Sequence, residues 1–351
     1  MANLIGTGFT PQELTSGGRR TQLADWLMRA DHPLTGRVIV NRLWQHHFGR
    51  GLVETANDFG TMGSRPTHPD LLDWLAIELP RRRWRLKELH RLLATSAVYR
   101  LASRPDVPGA TAEERNRAQE SWNHAKQVDP ENLLLSHMER RRLDGEEIRD
   151  SMLAATGRLN LELGGPGIRP PLPPELVATL LKDQWNVSPN VREHSRRSLY
   201  LFVRRNLRYP LFEAFDRPDT NASCARRNHS TIAPQALLLL NSELSLAAAR
   251  DLAGALIQSS EAESDQVRIA YRRTLGREPS ANEQATAAVF LRTQAEMLRR
   301  SRRPPAELAL PIPPHSASSG EESRSVDPYV DAALCDFCLA ILNLNEFVYL
   351  D

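Results

Sequence analysis

Apolar residues recur at intervals of three and four along most of the chain, the spacing of one face of an α-helix. In residues 21–30 (TQLADWLMRA), Leu23, Trp26 and Leu27 share a face until Asp31 and Pro33 break it. Thr35 can cap the next helix, which runs through residues 37–48 to Gly49. Residues 67–69 open another, with Pro69 in the first turn, where its missing N–H is harmless. Leu71, Leu72, Trp74, Leu75 and Leu79 give that helix a broad apolar face, and Pro80 with Arg81, Arg82 and Arg83 ends it. Residues 86–99 repeat the pattern with Leu89, Leu92, Leu93 and Val98. Residues 103–121 are polar, so they form a loop or an exposed helix, and residues 130–138 form a short helix. Asp144 caps a helix through Ile148, Met152 and Leu153 that stops at Gly157.

The pattern changes at residues 164–174 (GGPGIRPPLPP), which regular structure excludes because Gly frees and Pro restricts the backbone. Residues 198–203 (SLYLFV) read as the one strand. Helices rich in Ala and Leu follow over 233–257, then over 265–275 and 281–299. Residues 301–326 are rich in Pro, Ser, Arg and Glu and read as disordered. Leu334, Phe337, Cys338, Ile341 and Leu342 then mark an amphipathic helix within 327–348, apolar enough to require docking back onto the core. The expectation is a mainly α, multi-helix globular domain with one short β element and long ordered loops. It comprises a flexible lead-in over 1–18 and a single domain over 19–351, with 301–326 as an excursion.

Composition narrows the chemistry. The chain has 351 residues, enough to bury a core without disulfides. No apolar run reaches the roughly 18 residues that cross a bilayer. Residues 1–10 lack the basic start and apolar stretch of a secretory signal, so the chain taken alone reads as cytoplasmic. Net charge is +2, and the tryptophans are spaced for a core, so nucleic acid is not the expected partner. Only Lys87, Lys126 and Lys182 are lysines among the 45 basic residues. Arginine is the better bidentate partner for carboxylate, phosphate or sulfate, although a GC-rich coding preference produces the same bias. The cysteines are Cys224, Cys335 and Cys338. Cys335 and Cys338 have C-x-x-C spacing, but Leu339 follows where a haem attachment needs His, and no second pair completes a zinc site. They read as packing residues, and no cofactor is expected in this chain.

Several strings are more specific than composition. They are residues 33–53 (PLTGRVIVNRLWQHHFGRGLV) with 58–60 (DFG), 67–75 (THPDLLDWL), 129–132 (DPEN), 141–143 (RRL) and 147–150 (EIRD). Further on stand 164–166 (GGP), 200–206 (YLFVRRN), 221–224 (NASC), 226–228 (RRN), 233–237 (APQAL), 239–241 (LLN), 275–277 (LGR) and 342–347 (LNLNEF). With these strings the chain resembles, from about residue 19 onward, the planctomycete-specific domain at the C-terminal end of planctomycete cytochrome-c-type proteins. That family is known as domain of unknown function 1553. The resemblance implies an exported, cell-envelope setting and a cytochrome-c-type domain or protein as a partner. It lends no catalytic residues, and this chain has no C-x-x-C-H.

Two polar clusters could carry chemistry. Arg37, Asn41 and Gln45 fall at i, i+4 and i+8, one stripe on an otherwise apolar helix. They form either a buried network that fixes packing or a pocket wall. His46 and His47 follow, but neighbouring helical side chains diverge and do not share a metal. The second cluster is the stretch 196–235, with Arg204, Arg205, Asn206, Asp216, Asn221, Arg226, Arg227, Asn228, Ser230, Thr231 and Gln235. Ser230 or Thr231 could cap the following helix, whose free N–H groups attract anions, and the arginines could grip an anionic glycan. The structural alternative is an Arg/Asp/Asn network holding a long loop, with Asp216 and Asp219 as internal partners. Cys224 and His229 could pair as nucleophile and base only if the fold converges them. The sequence therefore points to a non-catalytic binding or scaffold module for an anion, a glycan or a partner protein. The alternatives are a hydrolase acting on polysaccharide through the 204–235 loop, and a docking partner of a cytochrome-c-type protein.

Overall fold

The structure is a computed structural model that describes residues 16–29, 31–105, 110–180, 184–205, 207–313 and 327–350. It is mainly α: among the described residues there are fourteen α-helices and one two-stranded sheet. The chain divides into two compact units at residues 141 and 142. The lead-in over residues 1–15 lies outside the described residues.

Unit 1 holds α1 (Ser16–Leu27), α2 (Thr35–Phe48), α3 (Pro69–Arg81), α4 (Leu86–Ala94) and α5 (Ala112–Val128). Its core is Val40, Trp44 and Phe48 of α2 packed with Leu72, Leu75 and Leu79 of α3 and Leu89 and Leu93 of α4. Leu52 and Val53, in the turn after α2, complete it. Gly49 ends α2 in the left-handed conformation, as the sequence predicts. Thr35 does not cap α2. Its hydroxyl donates to the Leu27 carbonyl, while its own N–H is taken by the His32 ring at 3.0 Å. The exposed helix foreseen in 103–121 is α5, which a Thr111–Glu114 capping box starts and which buries nothing.

Residues 130–138 make turns instead of the expected helix. Asp129 accepts the N–H groups of Leu133 and Leu134, and the Asn132 side chain accepts that of Ser136. Short polar side chains that bond nearby backbone outcompete the helical ladder here. Asn132 and Leu135 accordingly have positive φ.

Unit 2 begins with α6 (Gly145–Thr156), capped by Asp144 and ended by Gly157 as predicted. Two short helices follow, α7 (Pro174–Val177) and α8 (Pro210–Ala214). The longer elements are α9 (Ala233–Asn241), α10 (Glu243–Ser259), α11 (Glu263–Leu275), α12 (Ala281–Arg300) and α13 (Pro328–Leu342), and α14 (Asn345–Val348) is one turn. Strands β1 (Arg141–Arg142) and β2 (Tyr349–Leu350) pair, and Leu143 N–H continues the contact to Val348 O at 2.8 Å. The most apolar helix, α13, packs against both α10 and α12 and buries Leu334, Phe337, Ile341 and Leu342. Cys335 and Cys338 lie on its buried face as packing residues. Burial pushes the Cys335 thiol up to about 12 and raises Cys338 as well.

Residues 198–203 are not a strand. Ser198–Tyr200 is a 3-10 turn, and only single bridges follow, such as Ile168 to Leu201. Asp150 takes the Ser198 N–H at 2.8 Å and its hydroxyl at 2.7 Å, which fixes the turn. Among the described residues the extended part pairs with the Gly/Pro-rich loop through one bridge: Ile168 N–H to Tyr200 O and Phe202 N–H to Ile168 O, both 2.8 Å. Of the residues expected to be disordered, Pro305–Glu307 is a 3-10 turn, and Leu310 and Ile312 contact α10. Ile312 N–H donates to Arg250 O at 3.0 Å and Arg250 Nε to Leu310 O at 2.7 Å. The remainder of that expectation, 314–326, lies outside the described residues.

Candidate functional site

In unit 1 the stripe on α2 divides: Asn41 and Gln45 are buried, whereas Arg37 lines a cavity of about 220 Å³ with Asp73 and Trp84. Asn41 is fully buried, and its side chain pairs with both backbone groups of Val53, accepting N–H at 2.8 Å and donating to the carbonyl at 2.9 Å. Close approach at this turn requires Gly51, whose Cβ would sit 2.8 Å from the Asn41 amide. Arg37 pairs with Asp73 at 2.6 Å and also donates to the Pro33 carbonyl, while Gln45 is buried beside them on the same helix. One turn on, His47 Nε2 lies 2.8 Å from His90 Nδ1 on α4. Burial, and then the neighbouring His90, hold His47 below its ordinary pKa. Among the described residues no group of three or more His, Cys, Asp or Glu is placed to hold a metal ion.

In unit 2 the polar stretch 196–235 folds onto α6, whose exposed side carries Asp144, Glu146, Glu147 and Asp150. Arg227 grips Glu146 with two bonds of 2.9 and 3.2 Å and reaches Asp144 at 3.1 Å. Arg217 approaches Glu146 at 3.6 Å. Burial tends to raise Glu146, but Arg227 and Arg217 outweigh it and hold the carboxyl below its ordinary value. Glu147 is committed to the cap, accepting Asp144 N–H at 2.8 Å. These residues, with Arg197, Ser198 and Leu199, line a groove of about 780 Å³.

Behind the groove wall lies a second node, built on Asp216. Its carboxylate accepts Ser230 N–H at 2.8 Å, the Ser230 hydroxyl at 2.8 Å and Arg142 at 3.0 Å. Burial works to raise Asp216, and the Ser230 bonds with Arg142 overcome it and hold the carboxyl below its ordinary value. Arg142 also donates to Ser230 O and stacks over Phe215. Gln235 donates to Ala214 O at 2.9 Å and to Ser230 Oγ at 3.1 Å, and its own carbonyl takes Ile232 N–H. The residue preceding α9 is thus Ile232; neither Ser230 nor Thr231, the expected caps, holds that position, and Ser230 is bound to Asp216 instead.

Two further arginines are buried under the same surface. Arg149 is 2% exposed and donates to the carbonyls of Arg196 and His194 and to Ser198 Oγ. Arg196 donates to the carbonyls of Glu162 and Gly164 and stacks 3.8 Å above Tyr200. Both guanidinium groups therefore fasten loops by their carbonyl oxygens.

The remaining residues of the stretch make separate contacts or are exposed. Arg204 donates to Gln184 O at 2.6 Å, and Arg208 lies 3.8 Å from Asp219. Asn221 bonds Asp219 at 2.9 Å. Arg205, Arg226, Asn228 and Thr231 are exposed, and Asn206 lies outside the described residues. Cys224 is exposed with Sγ 3.1 Å from Arg226 O; of the two acids considered with it, Asp219 accepts from Asn221 and Asp216 is held by Arg142 and Ser230. Arg142, Arg149, Glu147 and Asp150 stand in the strings that carry the family resemblance, but from the sequence they were not joined, nor were Glu146 and Arg217, to the polar stretch 196–235. The i, i+4 spacing of Glu146 and Asp150 was the available signal.

No curated protein and no solved structure matches the chain. The family PSD1, described as protein of unknown function (DUF1553), matches residues 19–291. That match spans most of both units, and the chain belongs to the DUF1553 family.

Proposed function

We propose that this chain is a non-catalytic scaffold that docks a partner protein on the outer face of α9. The observation that carries the reading is how α9 is held. Its inner side is anchored by Gln235 and Leu239, both buried. Its outer side presents Ala233, Ala236, Leu237 and Leu240, one helical face, with Ile232 just before it. Ile232, Leu237 and Leu240 are 50%, 57% and 45% exposed. A contiguous apolar helix face in water, set on a rigid polar base, is a feature of protein interfaces.

An anionic glycan is the less favoured ligand, because it needs uncommitted guanidinium groups. In the 204–235 stretch Arg204, Arg208 and Arg227 are engaged internally, and the groove beside α6 carries four acids against three arginines. The family resemblance supplies the partner class: a cytochrome-c-type domain in a cell-envelope setting. Calorimetric titration of a purified cytochrome-c-type domain from the same host into this chain tests the reading. Saturable binding that Leu237→Glu abolishes at unchanged melting temperature is the expected result. No binding, or binding that survives both Leu237→Glu and Leu240→Glu, would overturn it.

A further inference from the structure

A further cavity of unit 2 has an apolar floor and is lined by neither α6 nor α9. It is a groove of about 690 Å³ where the end of α10 and the start of α11 face the end of α12 and the start of α13. Ile257, Leu291, Ala295, Val330 and Leu334 supply its floor. Its volume falls within the roughly 300–1,000 Å³ of small-molecule sites.

The charges around it sort into engaged and unengaged groups. Arg299 pairs with Asp327 and Arg300 with Glu296. Arg292 makes no ion pair among the described residues but turns back on its own helix, donating to the carbonyl of Ala288 at 3.2 Å. Asp331 lines the groove and is partly buried, and its carboxylate has no hydrogen bond or ion pair among the described residues. The positive end of α13 favours an acid in this first turn, but an exposed position would serve that purpose as well. A carboxylate that is withdrawn from water and unpaired costs stability, and it marks a place where a ligand can supply the missing charge. Burial, and then Asp327, accordingly push Asp331 above its ordinary pKa. Glu263, in the first turn of α11, adds a second acid to the same rim.

We propose that this groove binds an amphipathic organic cation of the alkylamine class, with the ammonium on Asp331 and the alkyl chain along the floor from Val330 to Leu291. The floor accounts for the apolar part of the ligand and the unpaired carboxylate for its charge. A neutral alcohol of the same length would keep the floor contact and lose the ion pair. An alkyl carboxylate would add repulsion.

The test uses hexylamine as the probe, with hexanol and hexanoate as controls, titrated into the full chain at neutral pH and followed by calorimetry. Hexylamine should bind at one site at least about tenfold more tightly than either control, the range of one charge-assisted bond. Asp331→Asn should bring hexylamine down to the level of hexanol while leaving the fold intact. Ala295→Leu, which fills the floor, should weaken hexylamine and hexanol together. Equal binding of hexylamine and hexanol, no saturable binding, or an Asp331→Asn variant that binds hexylamine as tightly as the parent would overturn the proposal.

Discussion

Asn41 shows what the polar residues of this protein do. A side chain that carries both donor and acceptor satisfies a backbone N–H and a backbone carbonyl that the turn after α2 leaves without partners. Asn41→Ala would strand both groups of Val53 in the core. Chemical denaturation should find unit 1 less stable by about 2–3 kcal/mol, the usual cost of unsatisfied buried polar groups. An unchanged midpoint would mean that water reaches Val53. Arg277 illustrates the exposed counterpart. It pairs bidentately with Glu283 and with Glu346, and those bonds hold Glu283 down to about 2 against its ordinary 4.5. A depressed carboxylate pKa stabilises the fold above pH 4.5, and that contribution fades as pH falls toward about 2. The melting-temperature gap between the parent and Glu283→Gln should therefore be largest near neutrality and close across that acid window. A gap independent of pH would contradict the pairing.

Helices with strong apolar periodicity were legible in the sequence, because burial of a continuous face decides them. The elements that misled are those where side chains bond the backbone. Residues 130–138 lost their helix to Asp129 and Asn132. Residues 198–203 lost their strand to Asp150 and to a partner loop too rich in Gly and Pro to form a ladder. Residues 301–313 looked disordered because their own composition cannot form a core. What orders them is a carbonyl–arginine contact with a distant helix. That contact depends on Gly254, where an added Cβ would lie 2.0 Å from Ile312 O. Gly254→Ala should displace residues 305–313 and destabilise unit 2 by about 1–3 kcal/mol, the range of core overpacking. Limited proteolysis should then cut near residue 310 faster than in the parent, and an identical cleavage pattern would argue against the contact.

At the scale of the whole molecule, each unit has its own apolar core, and the polar stretch 196–235 works for the second of them. The candidate site was half legible. The arginines, Asp216, Ser230 and Gln235 were singled out together, and the structure joins several of them. Their main partners, on α6 and at Arg142, stand 50 or more residues away in sequence, a distance that no local pattern spans. In the proposed function these groups fasten the loop that sets α9 rather than hold a ligand. Arg227→Ala tests this most directly, read by melting temperature and by titration with heparin as a polyanion. The account predicts a fall in melting temperature of about 2–4 °C, for roughly 1 kcal/mol lost from a partly exposed pair. It also predicts no saturable heparin binding by either protein. Saturable heparin binding by the parent, abolished in Arg227→Ala without any change in melting temperature, would contradict it.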